Sequence, residues 1–399
     1  MQSSNLWTRF KTISLISLAV TIAVMVAATI VEKFHGSEFA LEHIYHSPFF
    51  FALWAITAIC GLCYIFSVKM QRNPFTLTLH LSFVLILVGA LVTHLSAVNG
   101  ILHLREGESA TSFELEQGGM RELPFSITLN KFEIQYYPGS NAPMGYSSDV
   151  QINGEHTVIS MNNIAKIKGY RLYQADYDED LKGSVLAVSR DPWGIGITYT
   201  AYLLLLVSMI AFFFQKGSNF KAVSARAGWR TPTIILVLCL AGVLIMMRKF
   251  IFTGGSQLMP VLRTPLLQVH VISIVLSYFI FFSLLIIGIF GLAASAEKSA
   301  RLRDLSLTLL YPGVFLITFG TFLGAVWANI SWGNYWGWDP KETWALITLL
   351  IYSFPLHQSS DGFLGKPKAF HVYCILAFLS VLITYFGVNM LLGGMHSYA

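Results

Sequence analysis

Residues 13–31 read ISLISLAVTIAVMVAATIV, nineteen consecutive residues without a charged side chain. A helix that rises about 1.5 Å per residue needs about 20 such residues to cross roughly 30 Å of hydrocarbon. A secretory signal peptide has a shorter apolar core, of about 7 to 15 residues, and this segment lacks a convincing cleavage site. The sequence therefore predicts a retained transmembrane helix here.

Eight further apolar runs follow, each bounded by charged residues. The nine predicted spans are residues 12–31, 50–68, 75–97, 193–215, 232–250, 268–293, 306–328, 342–357 and 370–392. Hydrophobic residues make up 55% of the chain and charged residues 12%, whereas a soluble protein carries about 25% charged residues. This composition excludes a water-soluble enzyme and predicts a polytopic α-helical membrane protein with about nine transmembrane helices.

Basic residues accumulate on one side of this predicted bundle. They precede the first span and follow the second, fourth, sixth and eighth spans: Arg9, Lys11, Lys69, Arg72, Lys216, Lys221, Arg226, Arg230, Lys298, Arg301, Arg303, Lys366 and Lys368. By the positive-inside rule this side is cytoplasmic. We therefore expect a bacterial inner membrane protein whose N-terminus is cytoplasmic and whose C-terminus and residues 101–191 are periplasmic.

Residues 101–191 form the one long polar segment. They hold 8 Lys and Arg against 13 Asp and Glu, a balance of −5, so the rest of the chain carries 18 against 8, or +10. A basic membrane body with an acidic outer segment gives no support to nucleic-acid binding.

The pattern inside this segment is typical of strands. Phe125, Ile127 and Leu129 alternate with polar residues, and the alternation resumes one position out of phase at Phe132, as a β-bulge requires. Residues 150–154 end in Asn-Gly, which predicts a hairpin turn, and residues 184–188 predict another strand. Residues 138–148 and 174–180 are predicted loops. The segment is therefore expected to be a small outer β-rich domain.

All four cysteines, Cys60, Cys63, Cys239 and Cys374, lie inside apolar runs. Cys60 and Cys63 have the spacing of a redox or metal CxxC motif, but a thiolate at mid-span would cost several kcal/mol to desolvate. We expect all four to be packing residues.

Four of the eleven histidines form two depth-matched pairs on the predicted topology. His80 and His357 lie at cytoplasmic ends of spans, whereas His270 and His396 lie at outer ends. Ionisable residues at these depths by default suggest function, and two imidazoles from separate helices are what axial ligation of one haem iron needs. Taken singly, each histidine is better explained as an interfacial or hydrogen-bonded residue, and the matched pairing weakens that explanation without overturning it.

A competing arrangement uses His80 and His94, which are 14 residues apart on one helix. They would lie about 21 Å apart on nearly one face, the spacing of stacked ligands in two-haem electron-transfer bundles. The second pair would have to be His357 and His371, but the Pro- and Gly-rich interval between them breaks the helix. A supporting role for His94 stays open. The histidines predicted to be solvated or structural are His35, His43, His46, His103, His156 and His371.

The outer loop between the seventh and eighth spans is rich in tryptophan. It contains Trp332-Gly-Asn-Tyr-Trp-Gly-Trp-Asp-Pro-Lys-Glu-Thr-Trp344, and residues 327–344 hold five of the nine tryptophans. An aromatic belt at the membrane interface would explain some of them, but it needs neither this density nor the Gly and Asp-Pro-Lys-Glu residues. Flat aromatic faces suit a large planar ligand such as a porphyrin. The candidate binding residues are Trp332, Tyr335, Trp336, Trp338 and Asp339.

This loop resembles the WWD signature of the haem-handling proteins of cytochrome c biogenesis, in the form seen in the CcsA (ResC) branch. The resemblance covers roughly residues 230–399 and includes the context of His270 and His396. The first half of the chain resembles the CcsB (ResB) branch more weakly, through Tyr45-His-Ser-Pro48, His80, an outer domain and Asp191-Pro192. Together they are similar to a natural CcsBA fusion, a system II cytochrome c synthase.

The resemblance implies four regions. They are a CcsB-like half with three helices (1–100), a periplasmic β-rich domain (101–191), a fourth helix and cytoplasmic linker (192–230) and a CcsA-like five-helix domain (231–399) with the WWD loop at 327–344. The outer domain is shorter than in many fused relatives, which puts docking of the acceptor protein in doubt.

The resemblance also implies haem export and a haem lyase that attaches haem to the CxxCH motif of apocytochrome c. His80 and His357 would hold haem b, preferably ferrous, in the membrane, and His270 and His396 would be the catalytic pair that holds it for attachment. A thiol-reducing pathway would keep the apocytochrome cysteines reduced, and membrane lipid would surround the helices. The alternatives are a haem exporter or chaperone without ligase activity, and a two-haem quinol oxidoreductase.

Overall fold

Helices form most of the chain. The computed structural model describes residues 2–70, 73–137, 139, 143–248, 264–357 and 362–392, with side chains from residue 8 onward. The helices are α1 (Gln2–His35), α2 (Ser37–Ala40), α3 (Pro48–Ser67), α4 (Pro74–Ser96), α5 (Gly194–Phe214), α6 (Asn219–Ala227), α7 (Arg230–Met246), α8 (Pro265–Ala293), α9 (Ala296–Trp332), α10 (Pro340–Ser353) and α11 (Pro367–Leu382). The last continues as a π-helix, Ile383–Leu392.

The predicted fold class, a polytopic helical membrane protein with a β-rich domain, is confirmed. Within the described residues, seven helices are long and apolar enough to cross a membrane. The number rises to eight if α6 and α7, which are bent by 101° relative to each other, are counted together as one span. Each of the nine predicted spans coincides with a helix. The helix of the eighth predicted span, α10, is too short to be counted among these seven, because it has only 14 residues and passes into a 3₁₀ turn, Phe354–His357.

One antiparallel sheet lies between α4 and α5 in the chain. Its strands are β1 (Val98–Arg105), β2 (Ser109–Leu115), β3 (Met120–Tyr136), β4 (Pro143–Ile152), β5 (Glu155–Ser160), β6 (Ala165–Ile167), β7 (Tyr170–Tyr177) and β8 (Gly183–Arg190). They are ordered β5-β4-β3-β2-β1-β8-β7-β6. Because β1 pairs with β8 along its whole length, the two chain segments that join the sheet to the helices leave it side by side.

The sheet confirms the predicted bulge and hairpin. The β3–β4 register shifts between Leu129 and Lys131, and β4 turns into β5 at Asn153-Gly154, both with positive φ. The predicted loops were wrong for residues 143–148 and 174–177, which are strands. Their tertiary contacts explain this: the Ser148 hydroxyl donates to Gln174 Oε1 at 2.6 Å, and the rings of Tyr146 and Tyr177 stack at 4.9 Å.

The helical core lies among α8, α9, α10 and α11, where the rings of Phe281 and Tyr352 stack at 3.7 Å. Small polar residues also join the N-terminal helices. Ser17 on α1 donates to the Leu53 carbonyl of α3 at 2.8 Å. Hydrogen bonds of this kind join helices in lipid, where apolar burial cannot.

Gly89 allows α4 and α5 to lie in close contact. A Cβ at Gly89 would come within 2.3 Å of Thr198 Oγ1 and 3.0 Å of the Thr198 backbone nitrogen. We expect Gly89→Val to force the helices apart and to lower the free energy of unfolding by about 1 to 3 kcal/mol. Thermal unfolding in detergent measures this, with Gly196→Val on α5 as control, because no atom lies within 4 Å of a Cβ there. Equal melting temperatures for the two variants would contradict the role of Gly89 in the close contact between α4 and α5.

Candidate functional site

Residues 333–339, between α9 and α10, are called the tryptophan loop below. Gly333 ends α9 in the left-handed conformation, at φ 83°. At the other end the Asp339 carboxylate caps α10 by accepting the Lys341 backbone N–H at 2.8 Å. Glu342 accepts the Gly337 N–H at 2.8 Å. The loop is therefore shaped by its own ends, and Asp339, which is buried, serves as a helix cap.

The tryptophan loop is packed against the N-terminal helices. The Trp338 ring stacks on the Tyr45 ring at 4.7 Å with an interplanar angle of 11°, and it meets Phe50 edge-on at 5.1 Å. The Tyr335 hydroxyl donates to Thr93 Oγ1 at 2.9 Å. The loop thus links the C-terminal helices to α3 and α4.

The sheet covers the start of the same loop through Asn329, a buried residue on α9. The Asn329 side-chain oxygen accepts from Arg171 Nη1 at 2.6 Å and from the Tyr199 hydroxyl at 3.1 Å. The Tyr173 hydroxyl donates to the Asn329 carbonyl at 3.3 Å. The end of the helical bundle that carries the tryptophan loop is therefore next to the sheet, and we call it the sheet side.

Asn329 was not anticipated from the sequence, where it is one polar residue in an apolar run. Asn329→Ala would leave the Arg171 guanidinium and the Tyr199 hydroxyl without this acceptor. An unsatisfied buried group costs about 1 to 3 kcal/mol, so we expect a lower melting temperature and faster proteolysis of the sheet.

Asn130→Ala is the control. Among the described residues, the only hydrogen-bond partner of the Asn130 side chain is the exposed side chain of His156. Proteolysis at the same rate in the two variants would contradict a docking role for Asn329.

His80 and His357 lie together at the opposite end of the bundle. Their ring centroids are 5.8 Å apart and their planes cross at 87°. His80 Nδ1 lies 2.7 Å from the Thr76 carbonyl, and His357 Nδ1 lies 2.9 Å from the Ser353 carbonyl. A carbonyl only accepts, so each Nδ1 carries the proton and each Nε2 keeps a lone pair.

The two rings are direct neighbours. Metal–imidazole bonds of about 2 Å would place the two ligating nitrogens of one iron about 4 Å apart, and the ring centroids here are 5.8 Å apart. Histidine ligands commonly donate their second ring N–H to a backbone carbonyl, which fixes ring orientation and tautomer. His80 and His357 come from opposite halves of the chain, so only the folded protein brings them together.

His270 lies in the first turns of α8, on the sheet side. Its Nδ1 donates to the Gly320 carbonyl of α9 at 2.7 Å. Its ring lies over Gly324, where a Cβ would approach His270 Cε1 to 2.6 Å. Gly324 thus makes room for the ring, one turn after the glycine whose carbonyl accepts its hydrogen bond, a signal that the sequence carried but that went unnoticed. His396 lies outside the described residues, so the predicted outer pair stays a prediction.

The remaining candidate residues surround the loop. Trp332 is 39% exposed and packs edge-on against Trp327 at 4.8 Å. Trp336 meets Trp338 edge-on at 5.7 Å, and its buried indole N–H has no hydrogen-bond partner among the described residues. Trp338 and Asp339 shape and anchor the loop.

A third histidine pair was missed. The rings of His46 and His94 lie 5.5 Å apart at the sheet side, although the residues are 48 positions apart in the chain. Partial burial and the neighbouring His94 lower the pKa of His46, which favours a neutral imidazole. The competing two-haem arrangement, in which His371 would serve as a ligand together with His94, does not form. His371 is fully buried, and its Nε2 donates to the Ser299 carbonyl at 3.0 Å.

Comparison with known proteins agrees with these features. A family model described as cytochrome C assembly protein matches residues 193–396, just over half of the chain. The chain belongs to the cytochrome c assembly protein family. A model of the ResB-like family matches residues 72–198, which include His80 and the whole sheet. The resemblance to a CcsBA-type fusion is therefore confirmed.

Several known proteins are similar to parts of this chain. Protein NrfI of Wolinella succinogenes is 40% identical over 161 residues, which are 36% of this chain and 17% of NrfI. Cytochrome c biogenesis protein CcsA of Chlamydomonas reinhardtii is 38% identical over 159 residues, 36% of this chain and 43% of CcsA. CcsA of Prochlorococcus marinus strain SARG is 48% identical over 103 residues, 26% and 32% of the two chains. The matches span less than half the length of each relative.

Proposed function

We propose that this protein exports haem across the membrane and attaches it covalently to the CxxCH motif of apocytochrome c, as a holocytochrome c synthase. The observation that carries the proposal is the His80–His357 pair, two imidazoles 5.8 Å apart with both Nδ1 atoms anchored on backbone carbonyls. The substrate is haem b, and its iron takes one nitrogen from each half of the chain.

The inner pair receives the haem on the side opposite the sheet. His80 is half-buried and the His357 side chain is exposed at this end of the bundle. Neutral imidazoles bind ferrous and ferric iron, and the carbonyls of Thr76 and Ser353 keep both rings in the ligating tautomer. The inner pair thus serves as the entry site of the export path.

The outer pair, His270 and His396, holds the haem for attachment on the sheet side. Support for this comes from His270, whose ring is oriented by the Gly320 carbonyl, and from the tryptophan loop at the same end of the bundle. Trp332 and Trp336 give the porphyrin a flat aromatic edge. Positioning of this kind can lower a barrier by several kcal/mol.

The attachment step is an addition. Each cysteine thiol of the CxxCH segment adds across one vinyl group of haem: a C–S bond forms, the C=C bond becomes single, and the thiol hydrogen goes to the neighbouring carbon. No net oxidation occurs, so the thiols must arrive reduced, which is the task of a thiol-reducing pathway. The iron is ferrous at this stage.

Expression in a host without its own maturation system, together with an apocytochrome c reporter, tests the proposal. A synthase yields reporter haem that survives acid extraction. Haem that is exported but fully extractable would contradict attachment and leave transport alone. A reporter without any haem would contradict both steps.

We further propose that the chain lies in a bacterial inner membrane with the sheet and the C-terminus in the periplasm. The haem-handling half begins near residue 231. Reporter fusions after residues 220 and 399 are expected to give opposite signals, because five spans separate the two points. The measurement is paired alkaline phosphatase and green fluorescent protein activity. Signals from the same side would contradict the assignment of inner and outer sites.

A further inference from the structure

The His46–His94 pair is not used in the function proposed above. His94 lies in the last turn of α4, and His46 lies between α2 and α3, so the two rings come from separate segments. Their centroids are 5.5 Å apart, close to the 5.8 Å of the inner pair. Neither ring has a hydrogen-bond partner among the described residues, so each neutral imidazole can offer one nitrogen lone pair to a ligand.

The tryptophan loop holds the chain neighbour of each histidine. Trp338 stacks on Tyr45, which precedes His46, and Tyr335 bonds to Thr93, which precedes His94. The pair is therefore fixed to the edge of the tryptophan loop from both sides.

The surroundings of the pair are apolar and open. His46 and His94 are exposed, the Phe51 ring lies 5.2 Å from His94, and Leu91 and Leu95 expose 46% and 75% of their area. Two imidazoles are too few for a zinc site, which needs three or four protein ligands, and the described residues contain no group of three or more His, Cys, Asp and Glu able to hold a metal. Haem supplies its own four equatorial nitrogens, so two axial imidazoles and an apolar rim suffice.

We propose that His46 and His94 form a third bis-imidazole haem site at the sheet side. Haem would reach it after the inner pair and before the tryptophan loop. The inference rests on the proposed function, since it takes haem to be the substrate. His94 lies 14 residues beyond His80 on α4, or about 21 Å along its axis and on nearly the same face. The two pairs are therefore successive stations along α4.

Haem titration of the purified full chain tests this site. The background is a triple variant, His80→Ala, His357→Ala and His270→Ala, which breaks both other proposed pairs. We expect it still to give a low-spin bis-imidazole absorption and electron paramagnetic resonance spectrum. Adding His46→Ala and His94→Ala is expected to remove that spectrum and to weaken haem binding about tenfold or more. Free imidazole should restore the low-spin spectrum of a single His94→Gly variant in the same background.

His43→Ala is the matched control, because His43 lies three residues before His46, is exposed and stacks on Phe39 at 4.2 Å. Thermal unfolding curves establish that each variant is folded. A triple variant without a low-spin spectrum, or one whose spectrum survives the loss of both His46 and His94, would overturn the site. Covalent reporter haem made by the parental chain, together with no low-spin spectrum in the triple variant, overturns this inference alone. The spectrum in the triple variant, together with no covalent haem from the parental chain, overturns the proposed function alone.

Discussion

Replacement of both His270 and His396 by alanine is expected to abolish covalent haem attachment while the inner pair still binds haem. The physical reason is that the outer site loses both axial nitrogens, so the porphyrin is no longer held with its vinyl groups toward the incoming thiols. The measurement is acid-stable haem on an apocytochrome c reporter, together with the haem content and low-spin spectrum of the purified variant.

The control for this variant is His103→Ala. His103 lies on β1 and bonds through Nε2 to the Asp178 carboxylate at 2.8 Å, so its loss changes the sheet and not the tryptophan loop. We expect the control to retain the parental yield of covalent haem. Normal attachment by the His270→Ala, His396→Ala chain without added imidazole would refute the synthase mechanism.

The second large effect is expected at the inner pair. His80→Ala or His357→Ala removes one axial nitrogen and should lower the haem content of the purified chain, and the maturation yield with it. Free imidazole in the medium should restore part of both, because it fits the position left by the side chain. Haem content, the reduced absorption spectrum and reporter haem are measured with and without imidazole.

His371→Ala separates ligand loss from general damage. His371 is a fully buried histidine of the same half, but its Nε2 bonds to the Ser299 carbonyl and its ring packs on Gly291. We expect this variant to lose stability without an imidazole response. Rescue of His371→Ala by imidazole, or unaltered haem content in both inner variants, would leave the inner histidines with a structural role only.

Much of the fold follows from local patterns. The apolar runs correspond to helices because a backbone in hydrocarbon must satisfy its own hydrogen bonds, which leaves the helix as the one local solution. The β-bulge near Leu129 and the hairpin at Asn153-Gly154 follow from side-chain alternation and turn chemistry within a few residues. Strands 143–148 and 174–177 were missed because their order comes from contacts across the sheet, such as Ser148 with Gln174.

The sequence by itself determined a polytopic membrane protein and the family signature in residues 332–344. It also placed His80 and His357 at matching depths, which follow from span lengths and charges alone. Only the tertiary structure decided which histidines meet at the sheet side, because lateral contacts between helices leave no periodic trace in the chain. His94 finds His46 instead of His371, and Asn329 joins the sheet to the tryptophan loop. Both contacts join residues more than 40 positions apart, where local propensity has no influence and packing alone selects the partner.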